Sequence, residues 1–269
     1  MASLFFFAIS LLLMTIIQKF IFQILDKDVC LKPNYKKILI PVCGGIAFVP
    51  TIFFSSMILT LIGFYDSKMP IYLLSIILMS YVGLIDDLLG DRSVTGLKGH
   101  IKSLFHLKLT TGGLKAITGL IVSLYISINL SNRIIDILVN TIVISLFTNF
   151  LNLLDLRPGR ACKAFLFFSI LFLIAGSGGP QLLMIALGSV MVFLPLDLKG
   201  KIMLGDTGSN ILGLTLGISS VLLFNFNVRL IIMIFLILVH FVTEKYSLTK
   251  IIEGNRFLNF LDMIGRGRD

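Results

Sequence analysis

The sequence predicts an all-α fold, a polytopic integral membrane bundle of about nine transmembrane helices, with the N-terminus outside and the C-terminus in the cytosol. Three observations predict it. Hydrophobic residues make up 57% of the chain and charged residues only 14%, against about 25% charged in soluble domains. Mean hydropathy is +1.00. Basic residues fall into every second connection between the apolar segments.

Apolar segments long enough to span, or nearly so, run over residues 4–25, 43–64, 70–89, 112–130, 134–154, 162–175, 180–196, 209–224 and 228–246. A span needs about 20 apolar residues, so the sixth and seventh are short and suit a tilted or broken helix. In the eighth, Gly213 and Gly217 are four apart and leave room for another helix to come close. The first segment has no basic lead and no small-residue cleavage site, and is read as a retained span rather than a signal peptide. Residues 1–269 are thus expected to form one membrane-embedded domain.

The charge pattern sets the orientation. Lys27, Lys32, Lys36 and Lys37 follow the first span; Arg92, Lys98, Lys102 and Lys108 the third; Arg157, Arg160 and Lys163 the fifth. Lys199 and Lys201 follow the seventh, and Lys245, Lys250, Arg256, Arg266 and Arg268 the ninth. The opposite connections hold only Lys68, Arg133 and Arg229. Under the positive-inside rule the basic side is cytosolic. The net charge of +9 is accounted for by this topology, and no nucleic-acid partner is expected. Cys30, Cys43 and Cys162 are too scattered for a disulfide scaffold or zinc site.

Four polar stretches land on the cytosolic side. The first runs from Lys32 through Lys37 to Pro41, Gly44 and Gly45. The second holds Asp86 and Asp87, then Asp91, Lys98, His100, Lys102 and His106. An acid pair closing a helix opposes the helix dipole and is costly at a bilayer unless paired, solvated or bound to a cation. The third is Asn149, Asn152 and Asp155, spaced to share one helix face. The fourth is Gly205-Asp206-Thr207-Gly208-Ser209-Asn210, opening the eighth span. Singly, each has a plain explanation: acids marking a membrane exit, an Asp N-cap, Asn as interhelical glue, lysines setting topology. Together they converge on one face, where intramembrane polar groups tend to mark a site.

The residue types suggest phosphate chemistry. A Gly-rich turn at a helix start offers free N–H groups to phosphate. Carboxylates of Asp86, Asp87, Asp155 and Asp206 suit Mg²⁺, which takes a few carboxylates, waters and substrate phosphates. Lys37, Lys102 and Lys115 are candidates to neutralise a diphosphate. Such a kit serves phosphoryl transfer, where positioning and charge stabilisation dominate.

In order along nearly the whole chain, these residues resemble the polyprenyl-phosphate N-acetylhexosamine-1-phosphate transferases, which include phospho-N-acetylmuramoyl-pentapeptide transferase and the GlcNAc-1-phosphate transferases. Pro41 with Gly44-Gly45 resembles the family's first cytosolic loop, and Asp86-Asp87 its paired aspartates. Lys98-Gly99 through Lys102 is similar to its basic element, Asn149, Asn152 and Asp155 to its Asn-x-x-Asn-x-x-Asp motif, and Gly205 through Ser209 to its Gly-Asp-x-Gly-Ser motif. The resemblance implies transfer of a sugar-1-phosphate from a UDP-sugar to undecaprenyl phosphate, releasing UMP, with Mg²⁺, or Mn²⁺ in its place.

It implies Asp206 as metal ligand, Asp86 and Asp87 at the metal or lipid phosphate, and Asp155, Asn149 and Asn152 near the nucleotide. Gly205, Gly208, Ser209, Lys37, Lys102 and Lys115 are substrate-binding candidates. Expected partners are a polyprenyl phosphate, a nucleotide sugar and membrane lipids, with a homodimer left open; the expected place is the bacterial cytoplasmic membrane. Departures from the family pattern are Leu156-Arg157-Pro158-Gly159, where a second acid is usual, Met203, where an aromatic is frequent, and the lack of a late histidine-rich loop. Two other readings stand beside this one: an intramembrane prenyltransferase, from Asp86, Asp87 and Asp91, and a lipid-linked-sugar binder or transporter without catalysis.

Overall fold

Hydropathy of this kind leaves the backbone in lipid only one open solution, helices that satisfy their own hydrogen bonds. A computed structural model of the chain, which describes residues 2–25, 27–90, 109–177 and 180–266, has that form. Among the described residues nine long helices follow in order: α1 (Ala2–Leu25), α2 (Phe48–Leu61), α3 (Met69–Leu89), α4 (Thr111–Leu130), α5 (Ile134–Leu154), α6 (Arg160–Ala175), α7 (Gln181–Leu198), α8 (Gly205–Leu223) and α9 (Phe226–Lys245). Two short helices close the chain, α10 (Leu248–Gly254) and α11 (Arg256–Met263). Seven of the long helices, all but α6 and α8, are long and apolar enough to cross a membrane, α2 together with the 3-10 turn Gly44–Ala47 that leads into it.

α8 falls short for a physical reason. It is buried along nearly its whole length, packed on α5 and α3 with α6, α7 and the 3-10 turn around it, so its side chains meet protein rather than lipid. Thr215, Ser219 and Ser220 return their hydroxyls to carbonyls of α8 itself, at 2.7–2.8 Å. The helix that comes close at Gly213 and Gly217 is α5: a Cβ on Gly213 would lie 2.5 Å from Thr148 Cα, and one on Gly217 2.7 Å from Ile144 Cα. Lipid gives helices little hydrophobic reason to associate, and this backbone approach supplies dispersion contact instead.

The first basic loop is more ordered than a linker. β1 (Leu31–Pro33) pairs antiparallel with β2 (Leu39–Pro41), Lys32 opposite Ile40. Asn34 makes the turn, its side-chain oxygen accepting from the N–H of Lys36 at 2.8 Å and of Ile38 at 3.1 Å. At the outer end, Lys68 donates to the Asn129 carbonyl at 2.8 Å, near the end of α4. Arg229 is buried there against Asp136 at 2.7 Å and Asn140, so one of the few outward cations is neutralised.

One sequence expectation is revised, and one feature is new. The eighth span begins at Gly205 rather than 209, so the Gly-Asp-Thr-Gly stretch is the first turn of the helix and not a loop before it. The segment after α9 is itself folded: α10 and α11 fold back on the start of α6. Asp262, in α11, accepts from Arg160 at 2.9 and 2.7 Å and from Arg266 at 2.5 Å, while Arg160 also donates to Thr249 at 3.0 Å.

Candidate active site

The site forms where the ends of α3 and α5 meet the starts of α4 and α8, on the side of the basic connections. Asp86 stands in the last turn of α3 and Lys115 in the first turns of α4. The Lys115 ammonium lies 3.0 Å from Asp86 Oδ2 and pairs directly with Asp206 Oδ2. Two carboxylates from separate helices therefore share one cation. Side-chain exposures of 19% for Asp86, 16% for Lys115 and 23% for Asp206 leave the centre enclosed yet reachable. With its amide turned so that both ends are satisfied, Asn152 donates to Asp206 Oδ1 at 2.5 Å and to Ser209 Oγ at 3.1 Å, and accepts from Lys115 at 3.0 Å.

Asp87, the neighbour of Asp86, points the other way. Its carboxylate accepts from the N–H of Asp206 at 2.8 Å, the N–H of Thr207 at 2.9 Å and the Thr207 hydroxyl at 2.5 Å. Adjacent residues on a helix differ by 100° in direction, so one acid of the pair faces Lys115 and the other caps α8. The half-buried Asp155, just past the end of α5, takes the N–H of Gly205. The N–H groups of Gly205, Asp206 and Thr207 are thus satisfied by one acid in α3 and one just past the end of α5. This corrects the expectation of a free backbone cradle for phosphate at Gly205 through Gly208.

Close packing holds this arrangement. Met203 donates to the Pro41 carbonyl at 2.8 Å, and Gly44 and Gly45 donate to Met203 and Leu204 at 3.0 and 2.9 Å. The hairpin thereby runs beside the segment entering α8. A Cβ on Gly45 would collide with Gly208, and one on Gly83 would lie 2.6 Å from the Asp206 carbonyl; both glycines let backbone meet backbone.

Negative charge exceeds positive here. Burial, and then Asp197, Asp206 and Asp87, push the Asp155 carboxyl well above the ordinary range, although the Gly205 N–H opposes this. Asp197, in α7, accepts from Gly159 N–H at 3.1 Å and lies 3.5 Å from Cys162 Sγ. Asp197 and Thr207 were not singled out in the sequence. An acid in the last turn of an apolar span was the available signal for Asp197; nothing local distinguishes Thr207.

Of the remaining candidates, Asn149 is exposed and Asp155 lies beyond the helix end, so the three motif residues do not share one helical face. Ser209 meets Asn152 at 3.1 Å. Lys37 is exposed on the hairpin turn, with no bond to the acid centre among the described residues. Lys102, with Asp91, Lys98, His100 and His106, lies outside the described residues. Among the described residues no three His, Cys, Asp or Glu side chains are grouped to hold a metal. Asp86 and Asp206 nonetheless form the donor set Mg²⁺ favours, one or two carboxylates completed by substrate phosphates.

Fold and site together define an integral membrane protein with a buried acid–lysine centre at one face. The sequence signature of glycosyl transferase family 4 matches residues 69–224, more than half of the chain and the stretch that holds Asp86, Lys115, Asn152, Asp155 and Asp206. The chain belongs to that family, and at the general level it is a phospho-sugar transferase to a lipid carrier. No curated protein matches the chain.

Proposed function

We propose that the protein transfers a sugar-1-phosphate, of N-acetylhexosamine type, from a UDP-sugar to undecaprenyl or another polyprenyl phosphate at the cytosolic face of a bacterial inner membrane. The observation that supports this reading best is Lys115 held between Asp86 and Asp206. An ammonium already gripped by two acids is fixed in position, and phosphoryl transfer depends on fixed charge.

In this reading an oxygen of the lipid phosphate attacks the sugar-bearing phosphorus of the nucleotide. A new P–O bond forms, the bridging P–O bond breaks, and UMP leaves with the electron pair. Lys115 contacts the phosphoryl oxygens on which charge accumulates. Asn152 orients Asp206, and Asp87 fixes the helix start that carries it. Asp86 and Asp206 would hold Mg²⁺, which when bound supplies further neutralisation of the diphosphate.

The test is incubation of purified protein with undecaprenyl phosphate, Mg²⁺ and a panel of nucleotide sugars. UMP release dependent on both lipid and Mg²⁺, and lost in Asp206→Asn, is expected. Release of pyrophosphate, no nucleotide release from any donor, or a fully active Asp206→Asn protein would overturn the proposal.

A further inference from the structure

Away from the acid centre, a cavity of about 370 Å³ opens where the last turns of α1 and α7 meet the connection into α8. Its walls are Lys19, Phe22 and Gln23 from α1, Leu196 from α7, and Lys201 and Ile202 beyond it. Lys19 and Gln23 are one helical turn apart and share a face. Lys201 stands across from them, set by its N–H bond to the Leu196 carbonyl at 3.1 Å and by the Gly200 turn, where φ is 60°.

The lining is divided by chemistry. Phe22, Leu196 and Ile202 are apolar, whereas Lys19 and Lys201 are cations with no carboxylate partner among the described residues. The contrast with Lys115 is sharp, because that lysine is fully engaged by acids. Two uncompensated ammoniums over an apolar wall, at the cytosolic end of two spans, match an amphiphile with an anionic head. Basic pockets between transmembrane helices on this side take the phosphate heads of lipids, and lysine stems lie along apolar surface while their heads reach polar groups.

We infer that this cavity binds the phosphate head of an anionic membrane phospholipid, at a site separate from the acid centre. The phosphate sits between Lys19 and Lys201 with Gln23 as a further donor, and the glycerol and upper acyl chain lie against Phe22, Leu196 and Ile202. Pro41 completes the wall, and its carbonyl holds Met203, three residues before Asp206. An occupied cavity therefore braces the strand that positions the catalytic helix.

The experiment is native mass spectrometry and thermal unfolding of the full-length protein, reconstituted with phosphatidylglycerol or with phosphatidylcholine. The native chain should retain phosphatidylglycerol selectively and unfold at a higher temperature with it. Lys19→Gln with Lys201→Gln should weaken that binding on the order of tenfold to thirtyfold, while Lys19→Arg with Lys201→Arg preserves it and Asp206→Asn leaves it intact. Equal retention by the double Gln variant, equal retention of phosphatidylcholine, or loss of the lipid in Asp206→Asn would each sink the inference. Soluble glycerol 3-phosphate binding as tightly as the lipid would also sink it, by pointing to a free-anion site. None of these outcomes bears on sugar-phosphate transfer, whose test reads UMP.

Discussion

Asp87 caps the helix that carries Asp206. Its carboxylate accepts the Asp206 N–H at 2.8 Å across 119 residues of sequence, and the Thr207 N–H and hydroxyl complete its coordination. The next acid along the chain from the Lys115 partner thus has a positioning role, and its effects can be separated from those of its neighbour.

Asp87→Ala leaves two N–H groups of α8 without acceptors in a buried place. Unmade bonds of this kind, with a charged cap removed, cost on the order of 3 kcal/mol. The protein is expected to unfold at a clearly lower temperature and to lose activity together. Asp206→Ala, whose side chain caps nothing, should lose activity with little change in unfolding temperature; equal destabilisation by both would contradict the division of roles.

Lys115→Met removes the cation between Asp86 and Asp206. Loss of one fixed electrostatic contact to the transition state lowers turnover by about 10²–10³-fold, and that is the expected fall at saturating lipid and nucleotide sugar. Lys115→Arg should recover only part, since the planar guanidinium does not replace a compact ammonium held by two acids. Steady-state UMP release measures both.

Gly45→Ala places a methyl where Gly208 already lies, 2.7 Å from the Leu204 carbonyl. Backbone on both sides leaves no side chain to move aside. Overpacking of this sort costs about 1–3 kcal/mol, and here it pushes the start of α8 away from Asp86. Reduced activity with a lowered unfolding temperature is expected, and a neutral result would show that the hairpin does not press on α8.

The tail clamp carries a pH signature. Burial raises the Asp262 carboxyl, but Arg160 and Arg266 outweigh it and hold the group below the ordinary range. A depressed folded value means that its contribution is present above the unfolded carboxylate pKa, near 3.9, and is lost as pH falls through the folded value. The contribution of Asp262 to docking α10 and α11 should therefore be constant around neutrality and be lost only in strong acid. Asp262→Asn strands two buried guanidiniums at any pH, at a cost of about 3–5 kcal/mol. Limited proteolysis of the tail reads this directly: rapid cleavage of the variant at pH 7, and none of the native chain.

Hydropathy and charge located all nine long helices and the face on which the site forms, because both are local quantities that add residue by residue. The acids at Asp86, Asp155 and Asp206 were legible as well, since a carboxylate at a membrane exit stands out against an apolar background. Hidden were the start of α8 at Gly205, the service of Thr207 and Asp197, and the docking of the tail through Asp262. Each depends on which partner arrives from far along the chain. The Asp–Asp pair shows the limit: the sequence places two equivalent acids side by side, and nothing in it says which faces Lys115 and which caps α8. Composition decided that the chain is a bundle of apolar helices and which of its connections are basic. Only the packing of α3, α4, α5 and α8 decided how the acids share one lysine and one helix start, because hydrogen bonds between distant groups are fixed by three-dimensional approach and not by order in the chain.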